Sequence, residues 1–216
     1  MTDEKIEIIV VTHTTPKRLV MHHRFELKCF IDCMRSQRSD NWKLHIVHDG
    51  KGDLFNATKK DLEENSYLDH PNIVLSATEE RNGKWGHASR EYGLKNRISD
   101  ANYILITNAD NYYVPRFIEI ATGYLSGNPV DFLYWNAIHN RKRIRSRHDS
   151  EYECMNSSLQ RGNLDMGCAL IKSSIAENVG FPYRVYNGDW RFFEACLAKC
   201  NKEKVHKIDR YLFIHN

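Results

Sequence analysis

Asn108-Ala109-Asp110 closes a run of strand-forming residues, Tyr103-Ile104-Leu105-Ile106-Thr107. In open α/β sheets, ligands sit in the crevice outside the carboxyl ends of the strands, so a side chain at this point faces ligand space. A carboxylate at Asp110 suits Mg2+ or Mn2+, which take oxygen ligands and commonly bind through one or two carboxylates together with substrate phosphates. The local alternative is an Asx-turn leading into the helix that Pro115 opens. Two more apolar runs end on polar residues, Thr12-His13-Thr14 and His48-Asp49-Gly50. Each alone could be a turn, but all of them on one edge of one sheet are better explained by a shared ligand.

Holding those ends side by side requires a sheet built from alternating strands and helices. The apolar runs Ile6 to Val11, Leu44 to Val47, Asn72 to Leu75 and Tyr103 to Thr107 read as strands. Helical patterns fall between them, around Phe25 to Met34, Ala57 to Glu64 and Ala88 to Arg97, and that alternation predicts an α/β domain. Beyond Pro115 the pattern loosens. Phe132 to Trp135, Cys168 to Ile171 and Tyr211 to Ile214 read as strands, and Asp189 precedes a helix reaching about Lys199. Neither an internal repeat nor a dividing linker interrupts the chain.

The 216 residues suffice for one domain with a sizeable core, and 41% hydrophobic with 27% charged residues is an ordinary globular composition. No window approaches the ~20 apolar residues of a membrane span. The polar start, Met1 to Lys5, lacks the plan of a signal peptide, so the expected location is cytoplasmic. A net charge of +3 is too small to argue for nucleic acid, although Arg141 to His148 is locally basic. That run reads as a solvated loop, or as a cover for a diphosphate or an anionic acceptor. Two C-x-x-x-C pairs, Cys29/Cys33 and Cys196/Cys200, fall on predicted helices and are expected to be reduced thiols packed in the core.

Taken in order along nearly the whole chain, these pieces resemble the family 2 type of glycosyltransferase with the GT-A fold. Ile8 to His13 resembles its first strand and the start of its nucleotide pocket, and Ile46 to Gly50 its second strand. Gly83 through Arg90 resembles its glycine-rich loop and helix start, and Ile104 to Asn111 its Asp-x-Asp segment, with Asn108 in place of the first acid. The resemblance implies one GT-A (Rossmann-like) domain over residues 1–216 with a mostly parallel central sheet flanked by helices. Residues 1–112 would form the nucleotide-binding half and 113–216 the acceptor-binding half. It further implies a nucleotide-diphosphate sugar donor, with a UDP-sugar favoured, and a glycan or other hydroxyl acceptor. Thr12, His13, Thr14, Asp49, Gly83, Lys84, Arg90, Asn108 and Asp110 would line the donor site. Asp49 would read the base and Asn108 would hydrogen-bond a ribose hydroxyl with its amide. The metal would fall to Asp110, with His215 in Phe213-Ile214-His215-Asn216 completing the shell.

Sugar transfer from a nucleoside diphosphate requires a neutralised leaving group and removal of the acceptor's proton. Asp189, in Asn187-Gly188-Asp189-Trp190, resembles the family's acidic motif and is the expected general base of an inverting displacement. Asp is also a preferred helix N-cap, which is the competing explanation. Asp165, in the glycine-bearing segment Gly162 to Cys168, would bond donor-sugar hydroxyls, and Trp190 or Trp135 could offer a sugar-stacking face. Competing activities are nucleotidyl transfer to a sugar phosphate, whose glycine-rich signature Thr12 to Pro16 lacks, and a nucleotide-sugar-binding module without catalysis.

Overall fold

The computed structural model describes residues 4–13, 23–140 and 152–216. Its first half alternates strand and helix: β1 (Ile6–Thr12), α1 (His23–Arg35), β2 (Trp42–His48), α2 (Asp53–Glu64), β3 (Ile73–Ala77), α3 (His87–Lys95) and β4 (Tyr103–Asn108). The four strands pair in parallel in the order β3-β2-β1-β4. Alternation along β1 divides its side chains between two cores. Ile6, Ile8 and Val10 pack with Leu27, Phe30 and Ile31 of α1. Ile9 packs with Leu94 of α3. With a helix layer on each face, these strands are apolar on both sides, the usual state of parallel sheets.

The second half follows as β5 (Tyr112–Tyr113), α4 (Phe117–Gly127), β6 (Phe132–Asn140), β7 (Tyr152–Met155), β8 (Ala169–Lys172), α5 (Ser173–Val179), α6 (Gly188–Leu197) and β9 (Val205–His215). Here the expectation of a mostly parallel sheet is corrected to a mixed one. β8 lies antiparallel between β4 and β6, β7 is antiparallel to β6, and β5 is antiparallel to β9. β6 and β9 are parallel. After β6 the chain returns along one edge of that strand in two pieces: β7 beside Ala137 to Asn140, then β8 beside Phe132 to Tyr134. An antiparallel return needs only a loop, whereas a parallel one needs a crossover of helical length. The apolar run at Ala169 to Ile171 is buried throughout, and such a run reads the same in either direction.

Two smaller expectations also change, and one helix is added. The last strand begins at Val205, well before Tyr211, and α5 is a short helix that local periodicity did not reveal. Trp135 is fully buried against Phe117, so it belongs to the core and offers no face to a sugar. The cysteines are free, as expected. Burial holds Cys196 far above the usual thiol range and pushes Cys200 up to about 11, so both are neutral thiols near neutral pH.

One acid in the middle of an apolar strand has a structural explanation. Glu7 is fully buried and accepts from Arg97 Nε (3.2 Å), Ile98 N (3.0 Å) and Ser99 Oγ (2.7 Å). It therefore fastens the connection between α3 and β4 to β1. Glu7→Ala leaves Arg97 Nε, the Ile98 amide and Ser99 Oγ without this acceptor, while Arg97 keeps Glu177 and Ala101 O, and leaving buried donors unsatisfied costs about 1–3 kcal/mol. A lowered urea midpoint with an unchanged m-value is the expected result.

Candidate functional site

The polar strand ends converge. In register, Thr12 lies opposite His48 and Val11 opposite Asn108. The ladder continues past the strands, since Asp49 N donates to Thr12 O (2.9 Å) and Ala109 N donates to Val11 O (3.2 Å). Over this edge opens a cleft of about 560 Å3, lined by Thr12, His13, Asp49, Asn108 and Asp110 from the strand ends. Gly83 and Arg90 join from the α3 side, and Asp189 from the start of α6. A volume of this size falls within the range of small-molecule sites.

Asp49 shapes the wall of the cleft. It is buried, and its two carboxylate oxygens accept from Asn82 N (2.9 Å) and Gly83 N (2.8 Å), tying the loop before α3 to the end of β2. Gly50, at φ 92°, lies so close to Arg81 that a Cβ would meet its backbone nitrogen at 2.8 Å. That contact sets Arg81 on the same side of the cleft. Arg81 is a site residue that sequence reasoning missed, because a lone arginine in the polar stretch Glu79-Glu80-Arg81-Asn82 carries no distinguishing signal.

Arg90 is the hub. Only 2% exposed, it donates from Nη1 to Trp85 O and to His87 Nδ1 (both 2.8 Å), and from Nη2 to Asn108 Oδ1 (2.9 Å). Nη1 also lies 3.1 Å from Asp189 Oδ1, and the guanidinium sits 5.6 Å from the Phe181 ring centre. Both Nη1 hydrogens are committed to other partners, so the contact with Asp189 is an ion pair without a directed hydrogen bond. The amide at position 108 thus has its oxygen accepting from Arg90.

Asp189 is not the N-cap of α6. The helix starts at Gly188, its N-cap is Asn187, and Asp189 lies in the first turn with its side chain 41% exposed. Its carboxylate is placed by Arg90 and lies 3.7 Å from His87 Nδ1. His87 is itself buried, with Nε2 2.9 Å from Val185 O. A donor to the carbonyl at Nε2 and an acceptor for Arg90 at Nδ1 together require the neutral Nε2–H tautomer. Gly188 packs directly on the ring, where a Cβ would come within 2.8 Å of Nε2. Burial, reinforced by the Arg90 charge, holds the imidazole below its usual 6.5. Because the folded-state value is depressed, the stability His87 contributes is fully present above pH 6.5 and is lost as the pH falls through the folded value. His87→Gln is expected to flatten this acid limb in denaturation midpoints collected between pH 7.5 and 5, while His45 and His48, also depressed by burial, keep their share.

Other expected site residues are placed apart from this cluster. Asp165 and His215 meet each other, Oδ2 to Nδ1 at 3.2 Å, and neither lines the cleft. Asp165 also accepts from Gly167 N (2.9 Å) at the start of a short 3-10 turn, and His215 packs edge-on against His139. Trp190 is partly buried against the core beneath α6. The aromatic rings that do line the cleft are Trp85 and Tyr186, the second of which had no signal in the sequence. The backbone of Lys84 forms part of a 3-10 turn, Lys84–Gly86, but its side chain, together with Thr14 and the basic run 141–148, lies outside the described residues.

Among the described residues no group of three or more His, Cys, Asp or Glu side chains could hold a metal ion. A cation here would have Asp110 as its cleft carboxylate and would need ligand oxygens to complete its shell, which fits an ion that enters with a diphosphate. Also among the described residues, no helix is long and apolar enough to cross a membrane.

No protein-family model and no curated sequence matches the chain. Solved structures do. Residues 1–349 of S. aureus TarS superpose with a TM-score of 0.71 at 15% identity, over 98% of this chain and 60% of that one. The complex of the same fragment with UDP-GlcNAc gives 0.70 at 14%, over 97% and 58%. The mannosyltransferase PcManGT from Pyrobaculum calidifontis, in complex with GDP-Man and Mn2+, gives 0.63 at 16%, over 96% and 55%. The chain therefore spans about 55–60% of the length of these neighbours. Identities this low speak for architecture alone, and the agreement covers almost every residue of the chain. Parallel β3-β2-β1-β4, the inserted antiparallel β8 and the cleft over the strand ends are the GT-A-like glycosyltransferase fold, and this chain has that fold.

Proposed function

We propose that the chain transfers a sugar from a nucleoside-diphosphate sugar to an acceptor hydroxyl. The observation that carries this reading is the convergence of Asp110, Asn108, Arg90 and Asp189 on one cleft at the carboxyl ends of parallel strands. In a GT-A-like fold, that cleft is where a donor would lie. UDP is the favoured carrier, supported by the likeness to TarS bound to UDP-GlcNAc, and Mn2+ is the favoured ion, supported by the likeness to PcManGT.

In this reading the nucleoside lies toward Thr12, His13 and Asp49, and the diphosphate toward Asp110 and the loop at Gly83. Asp110 would hold the divalent ion together with the diphosphate, whose charge that ion would offset as the bond to the sugar breaks. His215 is left to its partner Asp165. Asp189 takes the proton of the acceptor hydroxyl as its oxygen attacks the anomeric carbon. The bond from that carbon to the diphosphate breaks, nucleoside diphosphate leaves, and the configuration inverts. Arg90 sets the position of Asp189 through their ion pair and, through Asn108, ties that position to the metal-side strand.

Incubation with UDP-, GDP- and dTDP-sugars in Mn2+, with chromatography of the products, tests the reaction. Release of nucleoside diphosphate, fastest from a UDP-sugar, is expected. Pyrophosphate appearing in its place would assign nucleotidyl transfer. Intact donors throughout, with a mixed pool of hydroxyl acceptors present, would reduce the chain to a binding module.

A further inference from the structure

Two large aromatic side chains stand exposed at the mouth of the cleft. Trp85 is 55% and Tyr186 80% exposed, and their rings meet edge to face at 6.0 Å between centres, 76° apart. The chain's other tryptophans are treated differently: Trp42 and Trp135 are buried in the core and Trp190 packs against it. The backbone at Trp85 is also unusual. It lies at φ 60°, ψ 18°, in the left-handed region that a bulky side chain rarely occupies. Such a conformation persists where the surroundings enforce it, and it clusters at ligand-binding positions. Here the enforcing group is the buried Arg90, which bonds Trp85 O, while His87 bonds Val185 O next to Tyr186. Both rings are thus carried on backbone fixed from beneath, and their surfaces are left to solvent.

We propose that Trp85 and Tyr186 form the acceptor subsite and that its ligand is a pyranose ring, which selects a saccharide acceptor over an open-chain polyol or a simple alcohol. This rests on the glycosyl-transfer reading above. One face of a pyranose presents C–H groups carrying partial positive charge, which pack on the negative face of an aromatic ring. Tyr186 stands three residues before Asp189, and both line the same cleft as Trp85, so a ring seated on the pair lies beside the carboxylate that must reach the acceptor hydroxyl. The other conceivable occupant, the nucleobase, is assigned in the reading above to Thr12, His13 and Asp49, at the ends of β1 and β2.

Saturation-transfer NMR separates the two, using methyl glycosides of glucose, galactose, mannose and N-acetylglucosamine as probes, with ribitol as the open-chain control, all in the presence of UDP and Mn2+. Trp85→Gly is the informative variant, because glycine adopts the positive φ without strain and removes only the indole. Tyr186→Ala removes the second ring and Tyr186→Phe restores it. At least one methyl glycoside should bind the wild-type protein and ribitol should not. Its affinity should fall by about tenfold in Trp85→Gly and in Tyr186→Ala, the loss of one stacking contact, and recover in Tyr186→Phe. UDP affinity, measured separately by calorimetry, should stay within about twofold in all variants, and it alone reports on the glycosyl-transfer reading. Equal glycoside binding in wild type and variants, binding of none of the glycosides, or a tenfold loss of UDP affinity in Trp85→Gly would each overturn the assignment.

Discussion

Asp189→Asn should leave donor affinity within about twofold of wild type and lower turnover by about 100- to 10,000-fold, the range lost when a general base is removed. The side chain is 41% exposed and lines the cleft, which is the placement the proposed role requires. Asparagine keeps the shape of the side chain at the first turn of α6 but cannot take a proton. The effect should therefore appear in kcat and kcat/KM together, with the donor KM little changed. Steady-state kinetics on the best donor found in the nucleoside-diphosphate assay measures this directly. Turnover at the wild-type rate would show that another group, or solvent, removes the proton.

Arg90→Met is expected to be the most damaging single substitution in the site. Methionine approximates the length of the side chain and removes hydrogen bonds to Trp85 O, His87 Nδ1 and Asn108 Oδ1 together with the ion pair to Asp189. Arg90 is almost wholly buried, and taking one partner out of a buried polar cluster costs about 3–5 kcal/mol because the others stay behind unsatisfied. A fall of that size in unfolding free energy should accompany loss of turnover. Arg90→Lys should recover little, since one ammonium cannot span the separate directions that the planar guanidinium fills. The double variant Arg90→Met/Asp189→Asn separates the roles. If Arg90 works by positioning Asp189, the two losses of turnover will fall well short of multiplying. Fully multiplicative losses would mean that the residues act independently.

The parallel half of the fold was legible because its information is local. Each of β1, β2 and β4 is an apolar run ending abruptly on Thr, His, Asp or Asn, and the helix layer on each face demands such runs. That logic located the strand ends whose residues line the cleft. The direction of β8 was not legible, because Ala169-Leu170-Ile171 is buried throughout and carries no polarity along its length. Nor were the partnerships that cross the molecule. Arg90 with Asp189 and Asp165 with His215 join residues far apart in sequence, and nothing near either member specifies the other. The left-handed turn at Trp85 escaped for the opposite reason: local rules assign such a conformation to glycine, here available at Gly83 and Gly86, and only Arg90 shows why Trp85 adopts it too.

Calorimetry of UDP-GlcNAc and GDP-mannose binding, with Mn2+ and with EDTA, in wild type and Asp110→Asn, bears most directly on the claim that the strand-end cleft holds a nucleotide sugar through one carboxylate. Asp110 stands at the end of β4 in the cleft, and asparagine in its place keeps the size of the side chain while removing its charge. Wild type should bind at least one donor in Mn2+ and lose about tenfold or more of that affinity in EDTA. Asp110→Asn should bind at the EDTA level whether or not Mn2+ is present. Donor binding by Asp110→Asn equal to wild type in Mn2+, or no binding of either donor by wild type, would contradict it.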